Sequence, residues 1–143
     1  MTALQCATTL VVARHGEAEY ESSEWEEEGG SLTTLGRRQA AELAEELAPR
    51  RVAHVWTSTL ARAVQTGEIV AARLGVGVTT RLGLREFGVG DYRGVPLVED
   101  PFVETYFRWM GGELERTRLG NCDTVEVLAD ADAWVCTRWG PRA

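Results

Sequence analysis

The stretch TTLVVARHGEAEY, residues 8–20, joins a short apolar, β-branched run to an arginine, a histidine and a glycine. The run from Thr8 to Ala13 predicts a buried strand of a parallel sheet. Arg14, His15 and Gly16 follow it directly, and in open parallel sheets ligands bind where the strands end. The stretch therefore predicts a strand that leads into a polar site with His15 at its centre.

Helical and extended patterns alternate downstream of this stretch. The predicted elements are helices over 33–51 and 59–75 and strands over 52–58 and 76–80. Threonine at the start and Pro49 near the end delimit the first helix, and Gly75 ends the second. The alternation predicts an α/β fold, a three-layer α/β/α sandwich with a largely parallel sheet, which residues 1–143 form as a single domain.

The later part of the chain is less regular. Residues 83–96 are glycine-rich and predict no regular element, whereas residues 97–110 after Pro96 are compatible with a helix. TVEVLADADAWVCTRW, residues 124–139, is compatible with a helix as far as Ala133 or with two short strands, and periodicity leaves both open.

Composition narrows the classes of function. The net charge of -7 argues against a nucleic-acid surface, which needs clustered positive charge. No apolar run is long enough to span a membrane and no basic segment precedes the first apolar stretch, so we expect a cytoplasmic protein without membrane contact. Three cysteines without a C-x-x-C pair and two distant histidines predict no metal site.

Polar side chains follow three of the predicted strands. Ser58 comes after the second strand with Arg62 in the first turn of the next helix, and Arg85 and Glu86 follow the third. With His15 after the first strand, they converge on one rim of the sheet. A histidine nitrogen can attack phosphorus, arginines stabilise phosphoryl charge, and a carboxylic acid can protonate a leaving oxygen. The pattern therefore fits phosphoryl transfer.

Four blocks carry a family resemblance: ARHGEAE, LTTLGRRQA, STLARAVQTGEIVA and LREFGVGDYRG. In this order, and over about three-fifths of the chain, they resemble the histidine phosphatase superfamily, in the branch of cofactor-dependent phosphoglycerate mutases and small phosphatases. The resemblance implies that His15 is the nucleophile, that Arg14 and Arg62 clamp the phosphate, and that Glu86 donates a proton to the leaving group. Gly16 would let the main chain approach the phosphate.

The predicted function is therefore a metal-independent phosphatase that hydrolyses small-molecule phosphate monoesters through a phosphohistidine on His15, with a small phosphorylated metabolite as its partner and no cofactor. Two alternatives stay open. One is a phosphate-binding or regulatory module with little or no turnover, and the other is a phosphoglycerate mutase-like phosphotransferase. Ala18, where many relatives carry a hydroxyl, favours the phosphatase over the mutase. Assembly as a homodimer is left open.

One group of the family's pocket has no counterpart in this sequence. The resemblance implies a second histidine late in the chain, but no histidine follows His54. At ~3.3 Å per residue, His54 would lie roughly 13 Å from the rim, as an edge or core residue. Three explanations stay open: Arg138 replaces the second histidine, a partner chain completes the sheet, or the chain is a truncated relative with little activity.

Overall fold

The computed structural model describes residues 8–19, 30–85, 120–129 and 134–140. The elements are β1 (Thr8–Ala13), α1 (Thr34–Leu47), β2 (His54–Thr57), α2 (Ala61–Leu74), β3 (Gly77–Thr80), β4 (Thr124–Ala129) and β5 (Trp134–Gly140). The mixed α/β fold is confirmed. The helix considered over 97–110 and most of the glycine-rich segment 83–96 lie outside the described residues.

Local signals mark both ends of α1 and the carboxyl end of α2. The Thr33 hydroxyl accepts a hydrogen bond from the Gly36 N–H at 2.9 Å and thereby caps α1. At its other end α1 gives way to a 3₁₀ turn, Ala48–Arg50, which contains Pro49. Helix α2 ends at Gly75, whose φ of 68° is the left-handed conformation that glycine adopts without a steric penalty.

Among the described residues the strands form two sheets, of which one is parallel and the other antiparallel. The order β1-β4-β5 is antiparallel throughout, whereas β2 and β3 pair in parallel and are connected by α2. The prediction of a largely parallel sheet is therefore wrong for this part of the fold. Four residues between β4 and β5 are too few for a parallel crossover, so the pair is a hairpin. Residues 124–139 thus form two strands and not a helix.

Strand β1 has its predicted bounds but not its predicted environment. Within the described residues it pairs along one edge only, with β4, and the side chain of Val12 is 58% exposed. The expectation of a buried parallel strand is wrong here, because an apolar, β-branched run reports the propensity for extended structure and not the number of neighbouring strands.

The core lies where the two helices meet the end of the β1-β4 pair. Its buried members are Leu43 and Ala44 of α1, Val70 of α2, and Cys122, which precedes β4. Helix α2 also packs closely on β2. The glycine at position 67 permits this contact, since a Cβ atom there would overlap the methyl group of Thr57. This close packing holds the middle of α2 against Thr57, the last residue of β2.

Candidate active site

The ring of His15 is held by a contact at each nitrogen. Nδ1 lies 2.7 Å from the carbonyl oxygen of Gly16, and Nε2 accepts a hydrogen bond from the Nε–H of Arg62 at 3.2 Å. A carbonyl can only accept and a guanidinium can only donate. Nδ1 therefore carries the proton and Nε2 carries the lone pair, so that Nε2 is the ring nitrogen with a lone pair that could act as a nucleophile.

Arg62 reaches His15 from the second residue of α2. It is 3% exposed, so its charge is largely withdrawn from water and directed at the histidine. Ser58, which follows β2, is also buried, and its hydroxyl accepts from the Leu60 N–H at 3.4 Å. The two junctions that the sequence predicts to converge, after β1 and after β2, thus meet at the contact between His15 and Arg62.

The loop after β1 lies directly against the start of α1. Gly16 is buried, and a Cβ atom there would lie 2.5 Å from the carbonyl oxygen of Gly36. Glu17 continues the contact, since its carbonyl accepts from the Thr33 N–H at 3.0 Å and its own N–H donates to the side chain of Gln39 at 2.8 Å. A side chain at Gly16 would overlap the main chain of Gly36, and a side chain at Gly36 would overlap the main chain of Glu17, so both positions require glycine.

Thr66 is a site residue that the sequence interpretation missed. Its hydroxyl accepts from the N–H of Gly16 at 3.1 Å and donates to the carbonyl of Arg62 at 2.8 Å. It joins the loop that carries the histidine to the helix that carries the arginine. The spacing of Arg62 and Thr66, four residues apart on one helix, places both on one face and was the available signal.

Arg14 contributes main-chain contacts at the carboxyl end of β1. Its N–H donates to the carbonyl of Asp123 at 3.0 Å, and its own carbonyl accepts from the N–H of Cys122 at 3.1 Å. Its side chain is exposed. The role of Arg14 as a phosphate clamp stays a prediction.

The proton donor implied by the resemblance, Glu86, lies outside the described residues. Arg85, its neighbour, is described and follows a 3₁₀ turn at Leu82–Leu84. The role of Glu86 therefore stays a prediction.

Arg138, considered as a replacement for the second histidine, makes its described contacts on β4. Its guanidinium donates to Glu126 at 2.8 Å and also to the hydroxyl of Thr124. Arg50 reaches the same carboxylate at 2.6 Å. The hydrogen bond from Arg50 lowers the pKa of Glu126, with a further lowering by Arg138, against the opposing effect of burial. These contacts account for Arg138 as a partner of a buried carboxylate.

His54 lies at the start of β2, as predicted for an edge residue. It is exposed, its Nε2 lies 2.8 Å from the hydroxyl of Thr79, and its ring centroid is 4.8 Å from that of Trp56. His54 makes these contacts at the amino end of β2, whereas Ser58 follows the carboxyl end of the same strand.

Within the described residues there is neither a membrane-spanning helix nor a cluster of metal-ligating side chains. No helix among them is long and apolar enough to cross a membrane. No group of three or more histidine, cysteine, aspartate or glutamate residues in the same part of the chain could hold a metal ion.

The fold and the pairing of His15 with Arg62 define a candidate phosphoryl-transfer site. Residues 10–114 match the histidine phosphatase superfamily (branch 1). This match covers more than half of the chain, which therefore belongs to that superfamily, and the resemblance drawn from the sequence blocks is confirmed.

Curated relatives include phosphatases and mutase-like proteins. The chain is 38% identical over 140 residues to phosphoglycerate mutase-like protein 4 of Arabidopsis thaliana, covering 93% of this chain and 60% of that protein. It is 37% identical over 94 residues to the glucosyl-3-phosphoglycerate phosphatase of Mycolicibacterium vanbaalenii, covering 63% of this chain and 41% of the relative. The chain thus spans about half the length of these relatives.

The fold also matches solved structures. A mycobacterial glucosyl-3-phosphoglycerate phosphatase in complex with VO3 superposes with a TM-score of 0.73 at 19% identity, covering 94% of this chain and 99% of the other. The phosphohistidine phosphatase SixA from Agrobacterium tumefaciens superposes with a TM-score of 0.60, also at 19% identity, covering 94% and 99% of the two chains. At these identities the likeness shows the fold.

Proposed function

We propose that this chain is a phosphatase that hydrolyses small phosphorylated metabolites, as phosphate monoesters, through a covalent phosphohistidine on His15. The observation that carries the proposal is the orientation of the ring: Nδ1 is bound to the Gly16 carbonyl and Nε2 faces the guanidinium of Arg62. A neutral imidazole that is unprotonated at Nε2 is the form that can attack phosphorus once the hydrogen bond from Arg62 moves to the substrate.

In the first step the lone pair of Nε2 forms a bond to phosphorus, and the bond from phosphorus to the ester oxygen breaks. The Nε–H of Arg62 transfers its hydrogen bond from Nε2 to a phosphoryl oxygen, where charge accumulates. Because Arg62 is buried before substrate arrives, little reorganisation is needed to place its charge there. Arg14 is the second proposed donor to the phosphoryl oxygens.

Glu86 is proposed to act as the general acid in the first step and as the general base in the second. Its carboxylic acid gives a proton to the departing alkoxide in the first step. In the second step its carboxylate accepts a proton from the attacking water, the bond between nitrogen and phosphorus breaks, and phosphate leaves. His15 returns to its neutral form. The arginines carry the charge stabilisation, so turnover is proposed to be metal-independent and unchanged by a chelator.

The chain's two histidines provide a matched test. Turnover of p-nitrophenyl phosphate is measured for the wild-type protein, His15→Ala and His54→Ala. We expect His15→Ala to abolish turnover and the acid-labile phosphoryl adduct seen by intact mass after rapid quenching, and His54→Ala to retain both. Equal turnover in the wild-type protein and His15→Ala would refute the mechanism.

A second candidate function is a phosphate-binding module without turnover. It is favoured by the position of His54, the other histidine of this sequence, which is bound to Thr79 at the start of β2, at the end of that strand away from Ser58. Calorimetry with phosphate and with vanadate, run beside the turnover assay, separates the two functions. Binding that Arg62→Ala abolishes, with no turnover and no phosphoryl adduct in the wild-type protein, would identify the module.

A further inference from the structure

A tight turn at Gly120–Asp123, distant in sequence, contacts the main chain of the nucleophile. The N–H of Cys122 is shared between the carbonyl oxygens of Arg14, at 3.1 Å, and His15, at 3.3 Å. The side-chain amide of Asn121 donates to the same His15 carbonyl at 3.3 Å, across 106 positions of sequence. The proposed mechanism assigns no role to this turn.

The turn is built to be rigid. Its ends are joined by the Gly120 N–H to the Asp123 carboxylate at 2.6 Å and by the Asp123 N–H to the Gly120 carbonyl at 3.0 Å. Cys122 has a φ of 62°, a conformation that residues other than glycine rarely adopt. Its side chain is fully buried in the core with Leu43. Such a conformation persists where the surrounding packing determines it.

The contacts of the turn complete a clamp on one peptide unit, the one between His15 and Gly16. The carbonyl of that unit accepts from Asn121 and Cys122, and its N–H donates to the hydroxyl of Thr66. The next carbonyl, that of Gly16, binds Nδ1 of the imidazole. The position of that carbonyl, and with it the tautomer of the ring, depends on how this peptide plane is held.

We infer that Asn121 is a positioning residue for His15. Its carboxamide N–H fixes the His15 carbonyl, and the fixed peptide presents the Gly16 carbonyl to Nδ1, which leaves Nε2 unprotonated. The inference rests on the proposed function for its catalytic consequence, but its effect on the tautomer is independent of turnover.

The test follows the ring nitrogens of His15 directly. Long-range 1H–15N spectra at pH 8 report which nitrogen carries the proton, and His54 serves as the internal reference. Asn121→Ala removes the donor, and Asn121→Asp removes it while keeping the size of the side chain. We expect the Nδ1–H form of His15 in the wild-type protein and a partial shift toward the Nε2–H form in both variants, because Arg62 still donates to Nε2 in them, with the signals of His54 unchanged.

Kinetics give the second measurement. Loss of one hydrogen bond of ordinary strength predicts about a tenfold lower kcat in Asn121→Ala with KM within about twofold, since the amide is bound to the His15 carbonyl and is given no part in substrate binding. A lower melting temperature with the tautomer and kcat of the wild-type protein would show a merely structural role and overturn the inference. A wild-type protein without turnover whose tautomer still shifts on substitution would support the positioning role and refute the proposed phosphatase.

Discussion

Thr66→Val tests the junction between the two halves of the site. Valine keeps the shape and nearly the helix propensity of threonine but removes the hydroxyl. That hydroxyl is the acceptor for the N–H of Gly16 at 3.1 Å, and it also donates to the carbonyl of Arg62. Gly16 is buried, so its N–H would lose a partner that water cannot readily replace.

The size of the effect follows from this burial. A buried donor left without an acceptor costs about 1–3 kcal/mol. The substitution also removes the hydrogen bond from the hydroxyl to the carbonyl of Arg62. That carbonyl lies within α2, where a main-chain N–H is its ordinary donor, so this second loss adds little. We expect the free energy of unfolding to fall by about 1–3 kcal/mol, or roughly 3 °C in melting temperature for each kcal/mol. Turnover should fall by up to about tenfold, because the peptide unit between His15 and Gly16 loses the hydrogen bond from its N–H to the hydroxyl of Thr66.

Urea unfolding monitored by circular dichroism measures the first quantity, and steady-state hydrolysis of a chromogenic phosphate ester measures the second. Thr66→Ser is the matched control, because it retains the hydroxyl and loses only a methyl group. It should keep the turnover of the wild-type protein. If Thr66→Val unfolds within about 0.5 kcal/mol of the wild-type protein, a range typical of neutral surface substitutions, the hydroxyl is not the required acceptor.

Three further substitutions probe the neighbouring contacts. Gly36→Ala should lower the melting temperature, although alanine is the better helix former by about 1 kcal/mol, because its Cβ overlaps the main chain of the loop after β1; a higher melting temperature would contradict this close approach. Arg62→Lys should lower kcat/KM for the phosphate ester about 10²-fold, since a point charge does not reproduce the directed N–H bond to His15; kinetics equal to wild type would argue against the arginine's role. The pKa of Glu126 lies below its ordinary value of 4.5 because of the hydrogen bond from Arg50. The contribution of this carboxylate to the free energy of unfolding is therefore complete above pH 4.5 and is lost as the pH falls below that value. Urea titrations from pH 6 to about pH 3 should therefore show a weaker acid dependence for Glu126→Gln, and an unaltered slope would refute the pairing.

Local patterns predicted the elements that carry the site. The spacing of leucines, the threonine cap and Gly75 defined the two helices, and the β-branched run defined β1 with its observed bounds. These signals lie within a few residues of the structure they determine. The rule for strand ends predicted that His15 and Arg62 would meet, and they do, although β1 and β2 pair into different sheets within the described residues and not into the one parallel sheet that the rule assumes.

The partners of β1 could not be predicted in this way. Its pairing with β4 joins segments more than 100 residues apart, and nothing in either segment specifies the other or the antiparallel direction. Asn121 was missed for the same reason: it is the only asparagine in the chain, but its contact with His15 exists only after β4 pairs. Thr66 could have been predicted, since it lies four residues after Arg62 and therefore on the same face of α2. It was overlooked because a threonine within a helix is usually a packing residue.

The turn at Gly120–Asp123 also has a consequence for the order of events during synthesis. A nascent chain that has not yet passed residue 120 carries His15 but none of the donors that hold its carbonyl. Because contacts between distant segments must overcome the entropy of closing a long loop, they form late relative to local helices. The imidazole would therefore reach the orientation proposed for catalysis only after β4 docks on β1, so that the proposed activity depends on pairing between the two ends of the described chain.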